Sequence, residues 1–205
     1  MSYSTEALMG VRREKDKFFK QSAYSPLTPK QQQLFAGLNY FPPDPALSFD
    51  LTPIIFDEEA QTLQRIMTST NEIRHYRRWG RLEFTVEGQT LGLTLFQDEA
   101  EQYFFLLFAD ATNDSETYAS GRYIDVEALP GGRLRLDFNQ AYNPYCAYNE
   151  PPSLLHGSDR QPQTWSCPIP PAENRLKVPI RAGEKKPEGD WVIQDHESHP
   201  DQVEG

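Results

Sequence analysis

The sequence is poor in cysteine, and this excludes two common ways of stabilising a small fold. Cys146 and Cys167 are the two cysteines among 205 residues, far below the density of a disulfide-stabilised secreted domain. A structural zinc site takes four ligands, usually cysteines and histidines at short spacing, and neither cysteine has a histidine beside it. We therefore expect two free thiols and no metal site, and the sequence identifies no cofactor.

Long apolar runs and an excess of basic residues are absent as well. No run approaches the roughly 20 apolar residues of a membrane-spanning helix, and no basic segment followed by an apolar one marks a secretory signal. The 30 acidic residues outnumber the 20 basic ones, giving a formal charge of −10, whereas nucleic-acid binding depends on clustered lysine and arginine. These absences predict a cytoplasmic protein that binds neither membranes nor nucleic acid.

One basic cluster departs from this acidity. Four arginines surround two aromatic residues between Arg74 and Arg81, an arrangement that can stack on the bases of single-stranded nucleic acid. On a strand, however, Arg77 and Trp79 face away from Arg78. We therefore interpret the cluster as the polar edge of a strand.

The N-terminal residues have the features of two helices. Apolar residues recur at helical spacing over residues 5–20, which predicts an amphipathic helix. Its predicted buried face consists of Ala7, Leu8, Val11, Phe18 and Phe19. A second helix is predicted from Thr28 to Gly37, because Thr28 and Gln31 form a capping box and Pro29 suits the first helical position. Together these segments predict a helical arm over residues 5–37.

From about residue 47 to residue 138, apolar residues alternate with polar ones in short runs, the pattern of half-buried strands. The clearest pair, 82–86 and 91–95, is separated by residues 87–90 and predicts a hairpin. Further predicted strands cover 62–68, 73–79, 103–108, 122–128 and 133–138, with a turn at residues 130–132. These segments predict a mainly β fold, an antiparallel barrel or sandwich, with the two helices at one end. The pattern does not distinguish barrel from sandwich.

The last third of the chain is irregular and rich in proline. Residues 149–166 contain few apolar residues and are predicted to form an inserted surface loop. Residues 176–180 predict a final edge strand, because Pro179 does not suit a central one. Residues 185–205 form an acidic segment that we expect to remain unfolded or to dock weakly. A single domain is therefore expected over residues 5–184.

Polar residues are concentrated in two stretches that follow predicted strands. In the first, residues 110–125, the acids Asp110, Glu116 and Asp125 lie near Arg122 and Tyr123. Such acids can bind a metal through oxygen atoms or provide a general base. The alternative interpretation is a turn-rich loop whose side chains bond to backbone groups while Arg122 pairs with one carboxylate.

The second stretch combines tyrosine, amide and thiol groups. Tyr142, Asn143 and Cys146 are followed, after the predicted insertion, by Cys167, Glu173 and Asn174. Such groups can orient a small ligand by hydrogen bonds in an apolar-walled pocket. Cys146 can act as a nucleophile only beside a base, and His156 is the one nearby histidine. The alternative is that both cysteines pack as small buried apolar residues.

Several of these strings resemble a family of uncharacterised, mainly prokaryotic proteins, the domain-of-unknown-function family 1684. The strings are TSTNEIRHYRRWG at 68–80, ETYASGRYID at 116–125, DFNQAYNPYCAY at 137–148, CPIPPAENRL at 167–176 and RAGE at 181–184. The resemblance extends over about residues 8–184 and implies no activity. In the family the two cysteine motifs lie only a few residues apart. The resemblance therefore implies that Cys146 and Cys167 are neighbours in space.

The leading hypothesis is a binding module for a small polar or anionic molecule, in a pocket at the strand ends. The predicted ligand-binding residues are Arg122, Tyr123, Tyr142, Asn143, Cys146, Cys167, Glu173 and Asn174. One alternative is a hydrolase that uses a carboxylate cluster or Cys146. Another is a protein-interaction adaptor that works through the acidic segment and the inserted loop.

Overall fold

Two α-helices and nine β-strands form the regular structure of the computed structural model, which describes residues 3–98, 103–149 and 165–192. Helix α1 spans Thr5–Gln21 and helix α2 spans Pro29–Leu34. The capping box predicted for α2 is confirmed, because Thr28 and Gln31 each accept a hydrogen bond from the other's backbone N–H. These two bonds satisfy N–H groups that the first helical turn leaves without partners.

The buried face of α1 differs from the one predicted from its apolar residues. Leu8 and Phe19 are buried as expected, but Ala7 and Val11 are exposed and Arg12 is buried. The Arg12 guanidinium donates to two backbone carbonyls, at 3.0 and 3.2 Å. A buried charge is tolerated when such bonds replace its hydration. Helix α1 therefore packs against the rest of the chain partly through a cation.

The strands form two sheets in which every strand pairing is antiparallel. The strands are β1 Ser48–Leu51, β2 Ile54–Ile55, β3 Leu63–Met67, β4 Ile73–Val86, β5 Gln89–Asp98, β6 Phe104–Phe108, β7 Arg122–Ile124, β8 Glu127–Leu129 and β9 Arg133–Asp137. The larger sheet has the order β2-β4-β5-β6-β7, with β3 also paired to β4, and the smaller has the order β1-β9-β8. The predicted mainly β fold is confirmed as a sandwich-like arrangement, and the described residues form no closed barrel.

The predicted hairpin is formed by β4 and β5, with a shorter turn than expected. Leu82, Phe84 and Val86 are buried, as their alternation predicted. The strands continue to a two-residue turn, Glu87-Gly88, where both residues have positive φ angles of 50° and 76°. Positive φ at both central residues is the type I′ geometry, whose twist matches that of the paired strands.

Two other strand predictions differ from the structure in their bounds. Segments 73–79 and 82–86 join into the single strand β4, with a bulge between Arg78 and Gly80. A Cβ atom at Gly80 would lie 2.7 Å from the Ile54 carbonyl oxygen, so this position lets the backbone of β2 approach closely. Segment 122–128 divides instead into β7 and β8, which belong to different sheets. Asp125 therefore lies where the chain passes from one sheet to the other.

The main core fills the space between the sheets. Phe138 is completely buried, and the rings of Phe49, Phe84 and Phe108 lie 5.2–6.3 Å from its ring. The other large apolar residues of this core include Leu82, Leu93, Leu95, Leu106, Ile124, Leu134 and Leu136. Burying residues of this kind is the principal contribution to folding free energy.

The segment predicted as an edge strand at 176–180 is not a strand. Leu176, Val178 and Ile180 are buried, so the alternation is real. Their segment forms separate backbone hydrogen bonds to Ala109 and Ala111 instead of a continuous ladder. The strand prediction was wrong because it was based on the alternation of buried and exposed residues, which this segment shows without pairing regularly to another strand.

Part of the segment predicted to remain unfolded is packed against the helices. Residues 185–192 are described, and Trp191 is buried, with its ring 5.0 Å from Phe35 and 6.2 Å from Tyr148. For these residues the structure therefore shows docking rather than an unfolded segment. The remainder of the predicted segment, and residues 150–164 of the predicted loop, lie outside the described residues. No helix in the described part of the chain is long and apolar enough to cross a membrane.

Candidate functional site

A cavity of about 690 Å³ opens between helix α1, strand β7 and the segments 139–145 and 165–168. Its aromatic residues are Tyr40, Tyr76, Tyr103, Phe105, Tyr123, Tyr142, Tyr145 and Trp165. Its charged residues are Arg12, Lys15, Arg74, Asp125 and Glu184. Sites for small molecules commonly have volumes of about 300–1,000 Å³, with apolar walls and a few polar groups. The cavity is therefore large enough for a small organic molecule.

The cavity brings together part of the predicted ligand-binding set. Tyr123, Tyr142, Asn143 and Cys167 line it. Cys146 does not line it but lies beside Cys167, as described below. The other three predicted residues do not line the cavity, namely Arg122, Glu173 and Asn174. Their side chains form hydrogen bonds with other residues of the protein.

Arg122, expected to orient a ligand, has a structural role instead. Its side chain is 1% exposed and pairs with the Asp110 carboxylate at 2.8 Å. The remaining bonds of its guanidinium go to the carbonyls of Ile180, Ala182 and Glu184. The alternative interpretation, in which Arg122 pairs with one carboxylate of a turn-rich loop, is therefore confirmed. Arg122 fixes the position of the segment that carries Glu184.

Glu173 and Asn174 also hold the fold together. The Nε and Nη2 atoms of Arg78 each donate a hydrogen bond to the Glu173 carboxylate. The Thr94 hydroxyl donates to the same carboxylate at 2.7 Å. Burial opposes ionisation, but these bonds outweigh it and hold the pKa of Glu173 below its ordinary value. The Asn174 side chain bonds to the Thr94 N–H and carbonyl and to the Leu107 carbonyl. These groups therefore have their polar partners within the protein.

The three predicted acids do not form a cluster. Asp110 bonds to Arg122 and to Thr112, while Glu116 pairs with the exposed Arg181. Asp125 accepts a hydrogen bond from the Tyr142 hydroxyl at 3.1 Å. Within the ranges that the structure describes, no three histidine, cysteine, aspartate or glutamate side chains are placed to bind a metal ion. The carboxylate-based hydrolase hypothesis therefore has no supporting arrangement in these residues.

Glu184 is the centre of a buried polar network at the cavity wall. Its side chain is 1% exposed, pairs with Lys15, and accepts hydrogen bonds from the Asn143 N–H and the Tyr148 hydroxyl. The Lys15 ammonium also lies 4.8 Å from the centre of the Tyr142 ring. Burial raises the pKa of Tyr148 well above its ordinary value, so its hydroxyl remains a donor. Lys15 compensates the carboxylate charge that would otherwise be unfavourable in a buried position.

Three buried polar atoms of cavity-lining residues have no hydrogen-bond partner within the described residues. They are Arg12 Nε, Tyr40 Oη and Asn143 Oδ1. Burial lowers the pKa of the Arg12 guanidinium and raises that of Tyr40. A buried polar atom without a partner is rare and costs about 1–3 kcal/mol. Each of these atoms has less than 1 Å² of accessible surface, so a bound molecule reaches them only after neighbouring side chains move.

The segments that carry the two cysteines meet beside the cavity, where the Tyr145 and Trp165 rings lie 4.7 Å apart. Cys146 lies in a single 3₁₀ turn, Tyr145–Ala147, and both cysteines are free and partly exposed. A hydrogen bond from Cys167 is the largest cause that lowers the pKa of Cys146, to about 7, and the Tyr118 hydroxyl, 3.8 Å from its sulfur, assists. The same bond raises the pKa of Cys167. The proximity of the cysteines that the family resemblance implies agrees with the contact between Tyr145 and Trp165, whose rings lie 4.7 Å apart.

Comparison with known proteins agrees with this resemblance. The family described as protein of unknown function (DUF1684) matches residues 33–185. The chain belongs to this family. It is also similar, at 31% identity and with a TM-score of 0.60, to the solution NMR structure of an uncharacterized protein from Haloarcula marismortui. That similarity covers 87% of this chain and 92% of the other. No curated protein matches this chain.

Several cavity residues of this DUF1684 protein were not among those predicted from the sequence. Arg12 and Lys15 were not assigned to the site, although they share a face with Leu8 and Phe19 at intervals of three or four residues. Arg74 was interpreted only as part of a polar strand edge. Glu184 was quoted within the family-like strings without a role. The helical spacing of the two cations was the signal that would have identified them.

Proposed function

We propose that this DUF1684 protein binds a small organic anion in the cavity beneath helix α1. The observation that carries the proposal is the lining of this cavity, in which the exposed cation Arg74 lies among eight aromatic residues.

The charges around the cavity favour an anion. Three cationic residues line it against two acidic ones, although the whole chain carries a formal charge of −10. Both acids have partners, Glu184 in Lys15 and Asp125 in the Tyr142 hydroxyl. Arg74 is exposed and has no ion-pair partner within the described ranges. A cation at a concave, partly apolar site attracts and retains an anion more strongly than one on a flat surface.

The aromatic walls favour an organic anion over an inorganic one. The ring of Tyr76 stacks on Phe105 at 5.4 Å, and Phe105 meets Tyr123 edge to face at 4.9 Å. These rings belong to a second core cluster whose outer side forms part of the cavity wall. Aromatic faces bind planar or apolar groups by burying their surface. We therefore expect a carboxylate or phosphate ester attached to an apolar or planar group.

The test is a thermal-shift screen of small organic carboxylates and phosphate esters against the whole protein, followed by calorimetric measurement of Kd. Each ligand that binds is compared with its neutral amide or methyl ester. We expect Arg74→Gln to weaken binding by about tenfold, because a charge-assisted hydrogen bond contributes about 1.5–3 kcal/mol.

Arg65→Gln is the matched control for this test. Arg65 lies on the neighbouring strand β3, is exposed, and does not line the cavity. Its substitution makes the same charge change on the same sheet and should leave Kd within twofold. Equal losses in the two variants, or equal affinity for the neutral analogues, would show that binding does not use Arg74. If no organic anion binds, the proposal is wrong.

The adaptor hypothesis stays a prediction. It depends on residues 149–166 and 185–205, most of which lie outside the described residues.

A further inference from the structure

Two separate chain segments bring the thiols together. The Cys167 carbonyl accepts a hydrogen bond from the Ser69 N–H at 2.8 Å, and the Cys167 N–H donates to the Ser69 hydroxyl at 3.1 Å. The Tyr123 hydroxyl donates to the Pro168 carbonyl at 2.6 Å. These bonds fix the backbone on which Cys167 lies. The Tyr145 ring lies 4.7 Å from the Trp165 ring, which places the 3₁₀ turn of Cys146 beside this backbone.

The surroundings of the pair suit a reactive thiolate. The Tyr118 hydroxyl donates a hydrogen bond to the Cys146 sulfur at 3.8 Å, and a donor to sulfur favours its charged form. Arg74 provides a favourable positive charge near Cys167. Neither cysteine is fully buried, so a reagent in solvent can reach the pair. Thiols with these properties are reactive, whereas fully buried structural cysteines are inert.

We propose that Cys146 and Cys167 form a redox-active dithiol that undergoes thiol–disulfide exchange with a small-molecule disulfide. Cys146 is the attacking cysteine, because its sulfur accepts the hydrogen bond of the Tyr118 hydroxyl, and Cys167 is the resolving one. The proposal does not depend on the anion-binding function, because the exchange requires no bound anion, although Cys167 and Arg74 line the cavity.

Exchange takes place in two steps. The Cys146 thiolate attacks one sulfur of a disulfide R–S–S–R, so that a Cys146–S–S–R bond forms, the original S–S bond breaks, and RS⁻ leaves. The Cys167 thiol then gives its proton to solvent and attacks Cys146 Sγ, which forms the internal disulfide and releases a second RS⁻. Both RS⁻ groups take up protons from solvent. The two cysteines lose two electrons in total, and R–S–S–R gains them as it becomes two thiols.

Oxidised glutathione is the probe for the test. The fully reduced whole protein is incubated with it, remaining free thiols are alkylated, and the intact mass is measured. We expect the wild-type protein to lose both alkylation sites while carrying no glutathione. Cys167→Ser should retain one glutathione on Cys146, because the resolving thiol is missing. Cys146→Ser should react about tenfold more slowly, because the remaining Cys167 lacks the donors that favour the thiolate.

Tyr118→Phe tests the environment separately from the fold. Tyr118 acts as a positioning residue for the thiolate, so its loss should slow the Cys146 reaction several-fold at pH 7 and leave the rate at pH 9 unchanged. A general loss of structure would lower or raise the rate at both pH values. Wild-type protein that carries two glutathiones, or that keeps two free thiols, would overturn the proposal. Equal reaction rates for the two serine variants would also overturn it.

Discussion

Lys15 and Glu184 are 169 residues apart in the sequence and form an ion pair at the cavity wall. The pair joins helix α1 to the segment that Arg122 holds through its bonds to backbone carbonyls. Glu184 is 1% exposed, whereas Lys15 keeps a quarter of its side chain in solvent. The carboxylate therefore depends on Lys15 for its charge compensation, and the cavity depends on the pair for one of its walls.

The first prediction concerns this dependence. Lys15→Met should lower the free energy of unfolding by about 2–4 kcal/mol, because it leaves the Glu184 charge buried without a counter-ion. Urea denaturation of the purified protein measures the change. Lys17→Met is the control, because the Lys17 side chain is 64% exposed and its Nζ lies 4.0 Å from Glu14 Oε2. This substitution should change the free energy of unfolding by less than about 0.5 kcal/mol. Equal effects would show that Glu184 does not need Lys15.

A second prediction compares two carboxylates of the same loop. Asp110→Ala should destabilise the protein by about 3–5 kcal/mol, because Arg122 would keep a buried positive charge without a counter-ion. Glu116→Ala removes an exposed pair with Arg181 and should cost less than about 1 kcal/mol. Denaturant unfolding of the two variants under one set of conditions gives both values. Similar costs would mean that the carbonyl bonds of Arg122 alone compensate its charge.

The sequence was sufficient to predict elements whose determinants are local. The Thr28–Gln31 capping box depends on residues three positions apart, and the alternation of Leu82, Phe84 and Val86 depends on strand geometry. Both predictions are confirmed. The segment 176–180 shows the limit of this approach, because alternating burial does not require that the segment pair as a strand.

The site was predictable only in part, because its polar groups depend on distant partners. Tyr142 and Asn143 were found since they belong to a dense polar string. Arg122 was assigned to a ligand because the sequence does not show that its acceptors are carbonyls of residues 180–184. Arg12 was missed for the same reason, because its acceptors are the backbone carbonyls of residues 41 and 139.

A third prediction follows from the thiol pair in reducing buffer. The pKa of Cys146 is lowered to about 7 in the folded protein, whereas the pKa of an unfolded cysteine is about 8.5. Between these two pH values the unfolded state therefore binds more protons than the folded state. Stability should therefore rise with pH across this window, by on the order of 1 kcal/mol. Above it, the raised pKa of Cys167 makes stability fall again. Unfolding measured between pH 6 and 10 tests this, and Cys146→Ser should abolish the rise.

The last prediction separates stability from binding at the cavity wall. Tyr40→Phe removes a buried hydroxyl that has no partner among the described residues, so it should leave the free energy of unfolding unchanged or raise it by about 1 kcal/mol. Tyr148→Phe is the matched control, because its hydroxyl bonds to Glu184, and its loss should cost about 1–3 kcal/mol.

Ligand affinity should respond to Tyr40 in the opposite direction. If binding exposes the Tyr40 hydroxyl and this group donates to the bound anion, Tyr40→Phe weakens binding about tenfold while the ligand-free protein loses no stability. A polar group that costs stability in the free protein is retained where it contributes to binding, and the same substitution separates the two effects. Calorimetric titration of Tyr40→Phe with an anion found in the screen gives the affinity. A variant that is destabilised and binds normally would assign Tyr40 to the fold rather than to the site.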